Sequence, residues 1–521
     1  MGRYLLGRVA RGTLSAVIVV TVVMTLIYSC LDRNLIFAND PVLSKYKSNA
    51  QETYKMRQWE AYGYVDYIPY NEYLLQLSLG QEEYDRAAKL GDDPGQDNAV
   101  AASHIAAFSS RYQEEGYRIV RLEGKKKGSG QTYLDGGEPQ LYAVRDVPLP
   151  SRLWSYLTGI FQFDNIHAVE EEVGQRGLEF SFFDPVYGGE RFSPAIIGNG
   201  TRHKYLLYFD DRFPYLHQNF VTVRLGTSYS VNQGVDVWNT MTDAQGKREM
   251  SMVTYPSGNR EYSADDLHTA VYVAGSYQGG DAVVRRNFVD DYTGVTTRKA
   301  GLSKLGYSFA IGILAVLLSY AIALPAGLLM ARRRDGLAER LGTVYIVFIM
   351  AVPSLAYIFL FKVLGQWAGL PVAFDTESPT WLMYVLPVIS LALPAAANLM
   401  KWLRRYMTDQ LSADYVKFAR GAGLSEGYIL RGHVLKNAAI PMIHAIPATV
   451  LGALVGAIIT ERVYVVPGAG NLLTGAINAY DNGVIVGVTL FYAVISVASV
   501  ILGDLLISLA DPRITLSSEG R

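Results

Sequence analysis

Apolar residues along this chain gather into one early run and a later cluster of five, at residues 13–31, 305–331, 341–364, 381–400, 443–459 and 484–510. The first holds nineteen residues. At roughly 1.5 Å per residue that is about 28 Å of helix, enough to cross the hydrocarbon of a bilayer. It is longer than the apolar region of a secretory signal, so it reads as a retained anchor. Arg3, Arg8 and Arg11 precede it, Arg332, Arg333 and Arg334 close the second run, and Lys401, Arg404 and Arg405 follow the fourth. Because basic residues are retained on the cytoplasmic side, this placement predicts six spans with both termini inside. Residues 32–303 and 365–380 are then outside, and 401–440 inside. Prolines 325, 353, 387, 394 and 447 fall in or near the spans, where each removes a backbone hydrogen bond. They fit kinked helices around a cavity, and equally the ordinary tolerance of membrane helices for proline.

Between the first and second runs the pattern changes. Residues 44–123 carry helix-like periodicity broken by turn clusters such as Leu90-Gly91-Asp92-Asp93-Pro94-Gly95. Residues 138–277 carry β-branched and aromatic stretches such as Phe180-Ser181-Phe182-Phe183 and Lys204-Tyr205-Leu206-Leu207-Tyr208-Phe209. The expected organisation is a first segment with its helix (1–31), an inserted α+β domain (32–303) and a five-helix membrane core (304–521). Charge sharpens that division. The net charge of −1 conceals 36 acidic and 28 basic residues in 32–300 against 12 and 19 in the remainder. An acidic block joined to a basic membrane block is what the positive-inside rule yields when the block is extracytoplasmic. The basic residues flank apolar runs and form no stripe with interleaved aromatics, which argues against nucleic-acid binding. Cys30 is the only cysteine, so no intrachain disulfide can form. Tyr28-Ser29-Cys30 lacks the leucine usual at a lipoprotein cleavage site, and Cys30 reads as a membrane-boundary residue.

One basic segment, residues 411–442, stands between two very hydrophobic runs and organises the rest. Gly421 and Gly423 let the backbone turn, because glycine takes positive φ without a Cβ penalty. Ser425 is placed to cap a second short helix. That helix offers Leu424, Tyr428 and Ile429 as apolar knobs and Glu426 as a charge. The same segment could rest on anionic headgroups through Arg420, Arg431 and Lys436. Its string reads Tyr415-Val416-Lys417-Phe418-Ala419-Arg420-Gly421-Ala422-Gly423-Leu424-Ser425-Glu426, then Asn437-Ala438-Ala439-Ile440-Pro441. It resembles the EAA loop of ABC-importer permeases, in the variant of the oligopeptide and dipeptide branch. Lys417 and Phe418 replace the generic Glu and Ala, and Pro441 stands eighteen positions after Gly423. Both departures point away from sugar importers. The resemblance extends to Pro467-Gly468-Ala469-Gly470 and Asp511-Pro512-Arg513-Ile514, and to an external loop split between 153–159 and 225–241.

The resemblance implies an α-helical membrane protein with six transmembrane helices, like an ABC type I importer permease, plus the inserted extracytoplasmic α+β domain. It implies a multi-pass subunit of the cytoplasmic membrane that moves oligopeptides by alternating access. Its partners would be a second permease subunit in a heterodimer, two cytoplasmic ABC ATPases and an extracytoplasmic peptide-binding lipoprotein. Ala419, Gly421, Gly423, Leu424, Ser425, Glu426, Tyr428 and Ile429 would form the ATPase-coupling surface within 411–441. No Gly is followed at the required spacing by Gly-Lys-Ser/Thr, so ATP and Mg would be bound by the partner ATPases, with no cofactor in this chain. The seven histidines show no zinc spacing and there is no Gly-x-Ser-x-Gly elbow, so no metal and no catalytic residue is expected. Asn199-Gly200-Thr201 matches a glycosylation sequon, too short a pattern to weigh much. Asp504 is the clearest acid within a span and a weak candidate for the translocation path, the alternative being a pair with a neighbouring helix or the interface. Competing readings are a membrane-anchored extracytoplasmic sensor, a tethered external hydrolase, and a permease for another small solute such as nickel. Six spans and the coupling-like loop disfavour the sensor, and the missing nucleophile and metal motifs disfavour the hydrolase.

Overall fold

A computed structural model describes residues 2–511 except 78, 91–98, 128–131, 164–176, 184–194, 200–202, 207–220, 251, 255–259, 263–267, 273–287, 291–296 and 333–334. The turn at 91–95, the sequon beyond Asn199, Arg333, Arg334 and the terminal Pro-Arg-Ile therefore lie outside the described residues. The first apolar run is helix α1 (Gly2–Cys30), which begins well before residue 13. Arg3, Arg8 and Arg11 precede the apolar run, as the sequence has them, but sit on the early turns of the helix. Long arginine stems can carry their charge to an interface from within a helix, so the basic cluster does not stop it.

Residues 32–303, expected as an insert, mix helices and strands more than the sequence pattern predicts. Helix α2 (Ser48–Ala61) is followed by strand β1 (Val65–Pro69), helices α3 (Tyr70–Gln76), α4 (Gln81–Ala87) and α5 (Ala99–Glu114), and strands β2 (Arg118–Leu122) and β3 (Gln140–Asp146). The strands form an antiparallel sheet in the order β1-β3-β2, so two strands stand inside the stretch that reads as helical. On one face Val65, Tyr67, Tyr142 and Val144 pack with Met56 and Trp59 of α2. On the other, Leu141 and Ala143 meet Tyr70, Leu74 and Phe108. With both faces covered, β3 reads as a continuous apolar run and loses the alternation that marks a half-exposed strand. Further on, Phe288–Asp290, His268–Tyr272, His203–Leu206, Ala195–Asn199 and Gly177–Ser181 form a five-stranded antiparallel sheet in that spatial order. Between lie helices α6 (Leu149–Gly159) and α7 (Val237–Thr242).

The core follows as α8 (Lys304–Arg332), α9 (Leu337–Ala351), α10 (Ser354–Trp367), α11 (Val385–Leu411), α12 (Asp414–Gly421), α13 (Glu426–Tyr428), α14 (Leu435–Tyr464), α15 (Ala469–Asn478) and α16 (Asn482–Ala510). Among the described residues five stretches are long and apolar enough to cross a membrane: Tyr4–Cys30, Lys304–Arg332, Trp381–Leu411, Glu426–Tyr464 and Asn482–Ala510. The run expected at 341–364 is no single helix. It divides into α9 and α10, bent by 111°, and counts as a sixth span only if the pair is taken together. The break falls at Val352-Pro353, where proline has no N–H to continue the ladder and pushes the residue before it into extended backbone. Val352 has ψ 130°. Pro325, Pro394, Pro441 and Pro447 lie inside helices that run on.

Small residues set the helix packing. Ala392, Ala396 and Ala397 of α11 are fully buried, and a Cβ on Gly327 of α8 would stand 2.8 Å from Leu403. Close backbone approach replaces the hydrophobic drive that lipid cannot supply. A second cluster joins the insert to the membrane part: Leu225, Val237 and Met241 pack with Val20 and Met24 of α1 and with Val484, Val486 and Val488 of α16.

Candidate functional site

Within the 411–441 segment two short helices, α12 and α13, meet at a tight turn and run on through Ile429–Val434 into α14. Helix α12 buries Val416 and turns Phe418 outward, so its two faces differ as an amphipathic helix should. It ends because Gly423 takes φ +77°, which only glycine adopts at little cost. The amides of Ala422, Gly423 and Leu424 then satisfy the last carbonyls, donating to Phe418, Arg420 and Ala419 at 2.9, 3.0 and 3.2 Å. The Ser425 side chain accepts from the Tyr428 amide and caps α13. Across the turn Arg420 Nε donates to Glu426 Oε1 at 2.6 Å and Nη2 to Oε2 at 3.2 Å. A forked pair of this kind fixes orientation more than it adds stability, since both groups are exposed.

Most of the expected coupling residues come together here. Leu424 and Tyr428 are exposed apolar groups, at 40% and 58%. Ser425, Glu426, Gly421 and Gly423 lie on the same open surface, and a Cβ on either glycine would meet nothing within 4 Å. Ala419 is half-buried against the core. Ile429 is not a knob: it is fully buried, because it begins the π-helical turn Ile429–Val434 that seats the hairpin on the core with Leu430 and Val434. Sequence reasoning missed Phe418, the most exposed apolar residue of the loop at 78%. The available signal was a phenylalanine on the polar face of an amphipathic helix, standing where the generic motif has alanine.

Asp504 is paired. Arg8 Nε donates to its Oδ2 at 2.8 Å and the Tyr4 hydroxyl does so at 3.0 Å. The carboxylate thus ties α16 to α1, as the neighbouring-helix alternative expects. Glu339, buried near the start of α9, pairs with Arg404 of α11.

Two further carboxylates hold the opposite ends of these helices. Glu461, near the end of α14, accepts from Ser308 Oγ of α8 at 2.6 Å and from the Asn471 amide at 3.0 Å. Ser308 Oγ accepts in turn from the Ala469 amide at 2.9 Å. A carboxylate at the first turn of α15 meets free amides and the positive end of the helix dipole. The Pro467-Gly468-Ala469-Gly470 string follows from this, since a Cβ on Gly468 would run into the Glu461 carboxylate and one on Gly470 would stand 2.8 Å from Ile458 Cα. Asp481, fully buried, accepts from Ser228 Oγ at 2.7 Å and from the amides of Ser230 and Val231 at 2.9 and 3.1 Å. It also caps α16 through the Val484 amide. One side chain therefore clips the 225–241 segment of the insert to the last membrane helix. Among the described residues no group of three His, Cys, Asp or Glu is arranged to hold a metal.

Comparison with known proteins shows the family. Residues 323–516 match the family described as "Binding-protein-dependent transport system inner membrane component". Over its whole length the chain is 31% identical to the whole of the oligopeptide transport system permease protein AmiC of Streptococcus pneumoniae. It is 32% identical to the dipeptide transport system permease protein DppB of Bacillus subtilis, over 41% of this chain and 69% of that protein. A Lactococcus lactis DppB is 30% identical over 41% of this chain and 70% of its own. A shared pattern running from α1 through the insert to α16 makes the chain a multi-pass membrane protein of the peptide ABC-transporter permease family.

Proposed function

We propose that the chain is a transmembrane permease subunit of an ABC importer for oligopeptides in the cytoplasmic membrane, with residues 32–303 outside. It works beside a second permease, with two cytoplasmic ATPases that bind ATP and Mg and an external peptide-binding lipoprotein. The observation that carries this reading is the hairpin of α12 and α13. Phe418, Leu424 and Tyr428 stand exposed on a turn held by Gly423, the Ser425 cap and the Arg420–Glu426 fork. Exposed aromatic groups on a rigid, polar-rimmed surface suit a partner cleft. Closure of the ATPases would push this hairpin, and the buried Ile429, Leu430 and Val434 would pass the push to α14 as a rigid body. At the other side, the Glu461 and Asp481 clips keep α8, α14, α15, α16 and the insert moving together.

The test is transport by the purified assembly in proteoliposomes. Co-purification of two ATPases and a second permease, with uptake of labelled peptide that requires ATP and the binding protein, is the expected result. Uptake of nickel without peptide, or an isolated chain that binds a ligand and transports nothing, would overturn it. Sidedness is tested separately in a Cys30→Ser background. A cysteine at Asp135 should react with a membrane-impermeant thiol reagent on intact cells, and one at Asp414 only after lysis.

A further inference from the structure

Helix α6 of the insert lies at the depth of the bilayer surface. Arg8 and Arg11 hold one end of α1 at the headgroups, and Tyr28 follows Arg8 by twenty residues of unbroken helix. At roughly 1.5 Å per residue that is about 30 Å, the thickness of the hydrocarbon, so Tyr28 marks its far boundary. Arg152 of α6 stacks on Tyr28, with its guanidinium carbon 3.7 Å from the ring centre. Leu153, Tyr156 and Leu157 of α6 join the cluster that holds Met24 and Ile27 of α1, within a turn or so of Tyr28 on its membrane side. The other side of α6 is open. Trp154 is 70% exposed there and Phe161, just past the helix end, 58%. Ser151, Ser155 and Thr158 are exposed with them, and no charged residue is. Beside this helix α1 is bare at Leu14, Ile18, Val22 and Leu26, one turn apart, which in a spanning helix is a face for lipid. Trp367 and Trp381 are equally exposed, and they flank the loop whose Phe374 amide donates to the Tyr464 carbonyl at the end of α14 at 2.9 Å, on the insert's side of the membrane.

We propose that α6 is an interfacial helix that binds the bilayer on the insert's side, with Trp154 and Phe161 set among the headgroups and upper acyl chains. An indole joins a large apolar body to one N–H and favours that depth, where the body leaves water and the N–H keeps a partner. The neighbouring hydroxyls suit the same zone, and an uncharged face calls for no anionic lipid. A hydrated path would instead leave both rings against water. The contact reaches into the insert. Arg152 also lies 4.0 Å from the centre of the Tyr64 ring, and the Tyr64 hydroxyl accepts from Asn482 Nδ2 of α16 at 2.8 Å. The base of the β1-β3-β2 sheet therefore stands on the bilayer through α6, and tilting the insert would draw two aromatic rings out of lipid. The inference needs α1 to span the membrane and is independent of the cargo.

The test uses the assembled complex in phosphatidylcholine nanodiscs. A nitroxide is attached to Trp154→Cys, and separately to Phe161→Cys, in a Cys30→Ser background with cysteine-free partner subunits. Power saturation then compares oxygen, which concentrates in lipid, with a water-soluble nickel chelate. Oxygen should relax both labels several-fold more than the chelate does, and a label at Asp135, which is exposed on the insert, should show the reverse. Dominance of the chelate at 154 would put the helix in a hydrated path, and low access to both would put another protein over it. Either result overturns the proposal. A second measurement needs no label: phosphatidylcholine brominated near the top of its acyl chains should quench more tryptophan emission from the wild type than from Trp154→Phe. Equal quenching of the two would also overturn it, while peptide import in the assay above would stand.

Discussion

Among the acid-centred constructions around the membrane helices, the hairpin and the pair of clips at the other side are built oppositely. On the hairpin of α12 and α13 the carboxylate of Glu426 is exposed, has a cationic partner in Arg420, and is surrounded by open space at Gly421, Gly423 and Gly427. Around α15 and the start of α16, Glu461 and Asp481 are both 1% exposed or less and are held by hydroxyls and backbone amides. Exposed ion pairs contribute little to stability, whereas a buried carboxylate with several donors costs much to disturb, because each donor is left unpaired when it goes. The hairpin is shaped for something outside the chain. The clips at Glu461 and Asp481 are finished within it.

That contrast is broken most severely at Asp481. Asp481→Ala removes the acceptor for Ser228 Oγ and the amides of Ser230 and Val231, and should lower stability by about 4 kcal/mol. Thermal unfolding of the purified chain would show a large drop, with proteolysis between the insert and α16 becoming faster. An unchanged melting temperature would mean that the clip is dispensable. Next in size is Gly470→Ala, whose Cβ would meet Ile458 Cγ1 at 2.6 Å and Ile458 Cα at 2.8 Å. Overpacking against backbone should cost about 2 kcal/mol in the same measurement.

On the hairpin the same kind of change should act on transport and leave the fold nearly intact. Gly423→Glu places a charged side chain where φ is +77° and the surface is open, so peptide uptake should fall by roughly tenfold while expression and assembly persist. Wild-type coupling of peptide-stimulated ATP hydrolysis to uptake would remove the role given to this loop. Smallest of all is Glu426→Gln, which breaks the exposed fork with Arg420. No measurable shift in melting is expected, and only a modest fall in uptake that shrinks further as salt is raised. A large, salt-independent loss would place Glu426 in a buried contact within the assembly.

The hairpin was legible from sequence because its determinants are local. Glycine at positive φ and a serine N-cap act within one turn of chain, whereas the fork between Arg420 and Glu426 came only with the structure. Ile429 was misplaced for the same reason, since local spacing cannot say which side of a short helix meets the core. The clips were not legible. Asp481 meets Ser228 across the whole membrane core, and the partner of an acid 253 positions away leaves no periodic trace. Strands β1 and β2 were missed because five-residue strands between helices carry too few positions for alternation to stand out.

By itself the sequence determined where the chain could leave water. Runs of apolar residues with arginines at their ends have few alternatives to membrane helices, since an unpaired backbone in lipid is prohibitively costly. It also determined the stop and restart at Gly423-Leu424-Ser425, which depend on φ and one hydroxyl. The tertiary structure alone decided that the run at 341–364 bends by 111°, that Asp504 faces Arg8, that Ile429 points inward, and that Arg152 lies between Tyr28 and Tyr64 beside a cavity. Each of these depends on which distant surfaces meet. Burial and pairing are properties of the packed arrangement, and a residue's type constrains them without choosing its neighbour.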